Sequence, residues 1–266
     1  MKANVYGIDG SVKKQITLPK LFETEVRERL VNRAYISSLT KKIQPKGNYY
    51  NAGRDTSAEY YGVRRVRDSL IAIGFARKPR TKNARHMIQG RVGGIAGVLG
   101  GPRAHPPKPE TVIAEKINKK ERKLALYCAL AATTKKELLL TKGHIFDDSL
   151  SLPVILEDKA EDLKKTKEIY SILEKLKINE DVESAKRKKT IRAGKGKTRG
   201  RLYNRKKSVL FVVSDSNAPL VKSARNLEGV DVSTVKGLSV EKLAPGGKPG
   251  RLVLFTEKAL NALNKE

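Results

Sequence analysis

The chain is expected to be an α/β protein: a three-layer α/β/α domain around a mostly parallel sheet, with a long extended loop and a second basic excursion. Three observations carry that expectation. Apolar runs within 153–156, 209–213 and 251–256 lack the alternation of a half-exposed strand and suit strands buried on both faces. Helical periodicities separate them, which suits parallel connections. Two basic stretches, 44–116 and 186–207, interrupt the pattern without apolar periodicity of their own.

The elements follow in order. Residues 2–8 form a short first strand, and Asp9-Gly10 is a turn signal before Val12–Leu18. From Glu23, the apolar positions Val26, Leu30, Val31, Ala34, Ile36 and Leu39 recur at spacings near three and four. They predict a helix of about twenty residues that stops near Pro45-Lys-Gly47. Asn118 with Glu121 three residues on predicts a reciprocal capping box, opening a helix with Leu124, Leu126, Tyr127, Leu130, Ala131 and Leu138 on its apolar face. A buried strand at 153–156, a helix over 160–176 and a short helical turn at 179–182 follow. Beyond the second basic stretch come a strand at 209–213, a helix at 219–227, a strand at 232–235 and a helical turn at 240–243. The strand at 251–256 and a helix opened by Glu257, whose charge suits the positive helix end, complete the chain.

Composition bounds the rest. Without the 73 residues of 44–116 the chain keeps about 190, the size of one domain. A formal charge of +28, from 56 Lys and Arg against 28 Asp and Glu, concerns partners rather than fold and makes nucleic acid the leading class. Anionic membrane competes poorly, because no strongly apolar amphipathic face accompanies the basic clusters. The opening residues have neither the apolar core nor the cleavage site of a secretory signal, and no run reaches the length of a membrane span, so a cytoplasmic location is expected. Cys128 is the single cysteine, in an apolar run, and is expected to be a buried structural thiol.

The two excursions differ in chemistry. Residues 44–116 mix 14 Lys or Arg and 5 Asp or Glu with Tyr49, Tyr50, Tyr60, Tyr61, Phe75, His86 and His105, and half of 90–101 is glycine. Cations neutralise phosphates and flat rings stack on bases, so this segment is expected to order against RNA. Its part Tyr61-Gly-Val-Arg-Arg-Val-Arg67 is expected to be non-regular. Residues 186–207 hold 12 Lys or Arg in 22 positions and no acid. Gly196-Lys197-Thr198 resembles the end of a phosphate loop, but the required glycine five positions earlier is Ile191 and the segment leads into a strand. A cationic hairpin or loop laid along RNA suits it better than ATP or GTP binding. The prolines of Ala244-Pro-Gly-Gly-Lys-Pro-Gly250 remove the amides that a phosphate cradle needs, so this is expected to be a rigid turn aiming the last strand. His86, His105 and His144 are at least 19 residues apart with no neighbouring cysteine, so neither metal nor cofactor is expected. His144 reads as a packed or hydrogen-bonded histidine. No acid–base pair with an arguable substrate pocket marks an enzyme.

Arg85-His-Met-Ile-Gln-Gly-Arg91 followed by Gly100-Gly-Pro-Arg-Ala-His-Pro-Pro-Lys108 resembles the family of the fourth large-subunit ribosomal protein, in its archaeal and eukaryotic branch. Leu18-Pro19, Gly143-His-Ile-Phe146, Ala193-Gly-Lys-Gly-Lys-Thr-Arg-Gly-Arg201, Ala224-Arg-Asn-Leu227 and Leu243-Ala-Pro-Gly-Gly-Lys-Pro-Gly-Arg251 extend the likeness, in order, over nearly the whole chain. The resemblance implies a sheet of about four strands and a globular domain built from 1–43 and 117–266, with the loop 44–116 penetrating large-subunit (23S-type) rRNA. It implies neighbouring large-subunit proteins and the nascent polypeptide of the exit tunnel as partners, with no membrane, and a monomer within the ribosome. The expected rRNA contacts in the loop are Arg54, Arg64, Arg65, Arg67, Arg77, Lys78, Arg80, Lys82, Arg85, His86, Arg91, Arg103, His105 and Lys108. In the second excursion they are Lys188, Lys189, Lys195, Lys197, Arg199, Arg201, Tyr203 and Arg205. Met87, Gln89, Gly90, Arg91, Gly93 and Gly94 are expected nearest the tunnel. A non-ribosomal RNA-binding chaperone or assembly protein of the same architecture is the alternative.

Overall fold

The structure, a computed structural model, describes residues 1–60, 62, 64–65, 76–81 and 90–264. It divides into two compact units, Met1–Lys42 with Glu115–Glu266, and Ile43–Ala114. In the first unit, β1 (Lys2–Tyr6) turns back into antiparallel β2 (Val12–Thr17) through Gly10, whose φ of 77° is one that glycine adopts without a Cβ penalty. A 3₁₀ turn at Lys20–Glu23 then precedes α1 (Glu28–Thr40). The expected twenty-residue helix is therefore shorter, at 13 residues. Burial explains the difference: the turn seats Phe22 edge-on against Phe255 at 5.8 Å, and the Glu25 carbonyl accepts from the Cys128 thiol at 3.2 Å instead of joining a helix.

In the unit Ile43–Ala114, β3 (Ala58–Glu59) pairs antiparallel with β4 (Arg80–Thr81), and Arg80 bridges to Val92. No described residue of this unit is buried, so its described part is held by backbone hydrogen bonds and turns and not by a core.

The first unit resumes with α2 (Lys119–Ala132) and α3 (Lys136–Thr141). Asn118 caps α2 without a side-chain bond, so the expected capping box does not form, and Glu121 instead meets Arg33 of α1 at 3.3 Å. After β5 (Val154–Leu156), a 3₁₀ turn at Asp158–Asp162 and α4 (Thr166–Lys175) replace the single helix expected over 160–176. The Glu161 carboxylate accounts for the break: it accepts from the Ser214 amide at 2.9 Å, the Ser214 hydroxyl at 2.6 Å and the Thr256 hydroxyl at 2.5 Å, tying the turn to the sheet.

Helix α5 (Asn179–Arg187) is a full nine residues where only a turn was expected. Two short strands follow, β6 (Thr190–Ile191) and β7 (Tyr203–Asn204), then β8 (Leu210–Val213) and α6 (Pro219–Ala224). The chain ends through β9 (Asp231–Thr234), α7 (Val240–Leu243), β10 (Val253–Thr256) and α8 (Glu257–Leu263).

The sheet has six strands in the order β2-β1-β5-β10-β8-β9, with every neighbouring pair parallel except β1–β2. The N-terminal hairpin adds two to the expected four. Successive residues of the central strands face opposite layers, as the two-residue period requires. Leu210, Val212, Val253 and Phe255 pack with α1, α2, α7 and α8, while Phe211, Val213, Leu252 and Leu254 pack with α4, α5 and α6. Among the described residues no helix is long and apolar enough to cross a membrane.

Candidate nucleic-acid interface

The second basic stretch folds as a hairpin. Thr190 pairs with Asn204 and Ile191 with Tyr203, and the Arg192 amide donates to the Leu202 carbonyl at 2.8 Å. Its tip holds a 3₁₀ turn, Lys197–Arg199, closed by Gly200 at φ 75°, while the Thr198 hydroxyl donates to the Lys195 carbonyl at 2.8 Å. With β6 and β7 each two residues long, cross-strand bonds stabilise little by themselves, so the hairpin depends on how its ends are anchored.

Three consecutive cations at the return end are each tied to a carboxylate. Arg205 lies 3.5 Å from Glu228, Lys206 is 2.7 Å from Asp181, and Lys207 is 2.9 Å from Asp231. At the entry end, Lys189 also reaches Glu228 at 3.2 Å and stands 4.6 Å over the Tyr203 ring, with Arg205 at 5.7 Å from the same ring. Asp181 is the deepest anchor. Its side chain is buried and accepts from Lys206, from the Ser208 hydroxyl at 2.6 Å and from the Ile145 amide at 3.3 Å, with His144 Nδ1 3.0 Å away. Burial alone raises its pKa, but His144, Lys206 and Ser208 reverse that effect and hold the carboxyl at about 2. His144 is the packed, hydrogen-bonded histidine expected from sequence.

The tip is different. Lys195, Lys197, Arg199 and Arg201 there are exposed, as is Lys188 ahead of β6, and none of the five has an ion-pair partner among the described residues. The root cations thus hold the hairpin and the tip cations remain open to an external anion. Tyr203 keeps 43% of its surface exposed while flanked by cations, an arrangement that can stack a base beside a phosphate.

Arg251, just past the rigid-turn motif, is buried and lies outside the sequence-based site. It donates to the carbonyls of Ser208 and Lys242 at 2.8 Å and pairs with Asp231 at 2.7 Å, fixing the amino-terminal ends of three strands where the hairpin leaves them. The turn is clamped from the other side by the Lys142 ammonium, which donates to the carbonyls of Pro245 and Lys248. Burial, with Arg251 and Lys248 nearby, lowers Lys142 to about 8.

In the unit Ile43–Ala114, Arg54, Arg64, Arg65, Arg77, Lys78, Arg91, Arg103, His105 and Lys108 are exposed. Arg80 is half-buried and donates to the Gly90 carbonyl at 2.7 Å, so it acts at least partly within the loop. Gly90 and Gly94 take φ of 75° and 73°, and the Gly93 amide donates to the Pro79 carbonyl at 3.1 Å, where the backbone folds against 79–81. Gly53, at φ 79°, faces the Gly101 and Pro102 backbone so closely that any Cβ there would collide with it. Arg67, Lys82, Arg85, His86, Met87 and Gln89, and most of the run expected to be non-regular, lie outside the described residues. Among the described residues no group of His, Cys, Asp or Glu could hold a metal ion.

Fold and charge together define a class: a three-layer α/β protein that carries exposed cations on two segments outside its core, one coreless and one a hairpin anchored to buried acid. The chain belongs to the Ribosomal protein L4/L1 family, with the match spanning residues 16–266. It is 45% identical over 262 residues to the large ribosomal subunit protein uL4 of Pyrobaculum aerophilum, covering 98% of this chain and 89% of that protein. Against uL4 of Methanocaldococcus jannaschii it is 44% identical over 265 residues, covering 100% and 99%. For uL4 of Saccharolobus solfataricus the identity is 40%, over 99% of this chain and 94% of the relative.

Proposed function

We propose that the chain is a structural, non-enzymatic constituent of the large ribosomal subunit in the cytoplasm, binding 23S-type rRNA and neighbouring large-subunit proteins as a single copy. The observation that carries RNA binding is the division of charge in 186–207: root cations are consumed by Glu228, Asp181 and Asp231, while Lys195, Lys197, Arg199 and Arg201 remain exposed and without ion-pair partners among the described residues. Unpaired, one-signed charge at the end of an anchored hairpin repels itself when free and is relieved beside a polyanion.

The loop 44–116 adds fitted shape. With no buried described residue in Ile43–Ala114, its ordering cost is offset by contacts with a partner, and exposed cations with Tyr49 and Tyr50 at 64% and 84% exposure suit RNA. Within it, the segment 85–103, with Met87, Gln89, Gly90, Arg91, Gly93 and Gly94, contributes to the wall of the polypeptide exit tunnel and borders the nascent chain. Glycine there admits close backbone approach to rRNA where a side chain would not fit.

A tagged copy expressed in cells tests the reading. It is expected to co-sediment with large subunits through a high-salt gradient and to copurify large-subunit rRNA. Recovery only in the ribosome-free fraction would overturn the proposal and favour a free RNA chaperone.

A further inference from the structure

A cleft of about 780 Å³ opens at the amino-terminal ends of β8, β9 and β10, beside the hairpin root. That volume is in the range of small-ligand sites. Its charge is one-sided: Lys42, Arg205, Lys207, Arg225, Lys242 and Arg251 line it against only Asp231 and Glu241, a surplus of four cations. Asp231 is paired with Lys207 and Arg251, Glu241 with Lys42 at 2.6 Å and Arg205 with Glu228, which leaves Arg225 and Lys242 as the lining cations without an ion pair among the described residues. Arg225, just past α6, is exposed and has neither an ion pair nor a hydrogen-bond partner among the described residues. Across the same cleft α1 supplies the half-buried Tyr35 ring.

We propose that this cleft is a further RNA subsite that takes one ribose-phosphate unit of the strand held by the hairpin, its phosphate on Arg225 and its sugar or base against Tyr35. The inference rests on the RNA-binding reading above and extends it into the globular unit. Continuity argues for a strand: Asn204 and Arg205 belong both to the return side of the hairpin and to the cleft wall, so a backbone following the tip cations runs into the cleft. The donor set argues the same way. A guanidinium fork matches the two non-bridging oxygens of a phosphodiester. The cleft lacks the glycine-rich amide cradle that terminal phosphates of free nucleotides use.

The test uses the full chain and a fragment of large-subunit rRNA, with Arg225→Ala, Arg225→Lys and Tyr35→Leu beside a hairpin variant with Lys195, Lys197, Arg199 and Arg201 all changed to Ala. Arg225→Ala is expected to weaken binding about tenfold and lower the salt slope by about one unit, with Arg225→Lys restoring the slope. Arg225→Ala and Tyr35→Leu should each lose hydroxyl-radical protection at nucleotides adjoining those the hairpin covers. Parent affinity and footprint in Arg225→Ala, alongside weakened binding in the hairpin variant, would overturn the cleft and leave RNA binding standing. Parent behaviour in both would overturn both readings. Saturable binding of free AMP that depends on Arg225 and is not displaced by the RNA would also overturn the subsite.

Discussion

At the scale of single residues, Asp181 decides whether the cationic hairpin has a fixed base. Replacing it with Asn removes the carboxylate that Lys206, His144 and Ser208 share and leaves a largely buried ammonium uncompensated. Asp181→Asn is expected to cost roughly 3 kcal/mol in urea denaturation at neutral pH. The folded-state pKa of about 2 lies below the ordinary value of 3.8. The carboxylate therefore stabilises fully above pH ~4 and loses that contribution, on the order of 2 kcal/mol, as the pH falls toward about 2. The variant should lack this part of the acid dependence. Gly229 is the second sensitive position, at φ 77°, where a Cβ would stand 2.7 Å from the Lys206 carbonyl oxygen and 2.8 Å from the Ala185 Cβ. Gly229→Ala adds left-handed strain to overpacking under the hairpin root, and a loss of roughly 2–4 kcal/mol is expected from the same denaturation measurement.

At the scale of elements, the hairpin and the loop divide the work of binding. Changing Lys195, Lys197, Arg199 and Arg201 together to Ala should weaken association with an rRNA fragment and flatten log K against log salt by up to about three to four units, as each lost phosphate contact releases fewer counterions. An unchanged slope would place those side chains away from RNA. The elements themselves were largely legible. All five runs read as strands pair in the sheet, and for the apolar ones at 153–156, 209–213 and 251–256 the reason is that such sequence has few other uses than burial on both faces. Boundaries were harder, since tertiary bonds set them: Glu161 breaks one helix by reaching Ser214 and Thr256, and Glu121 leaves its cap for Arg33. The tip cations were visible as an acid-free run, whereas their anchors were not. Asp181 lies in one part of the chain and Glu228 and Asp231 in another, and only folding brings them beneath Lys206, Lys189 and Lys207. Arg251 looked like the start of a strand because nothing local marks the carbonyls it gathers.

At the scale of the whole molecule, a formal charge of +28 is tolerable in isolation only at a cost of self-repulsion, and contact with rRNA relieves it. The two units suit that end in different ways. The α/β unit is already packed through two apolar clusters, and the unit Ile43–Ala114, without a buried described residue, depends on what surrounds it. The central claim is that exposed cations in both units meet rRNA phosphates directly. A side-chain-resolution structure of the large subunit containing this chain tests it. The account predicts phosphate oxygens within about 3 Å of the side-chain nitrogens of Lys195, Lys197, Arg199 and Arg201, and rRNA against Arg54, Arg91 and Arg103. A hairpin tip facing solvent or protein alone, with the loop cations away from RNA, would contradict it.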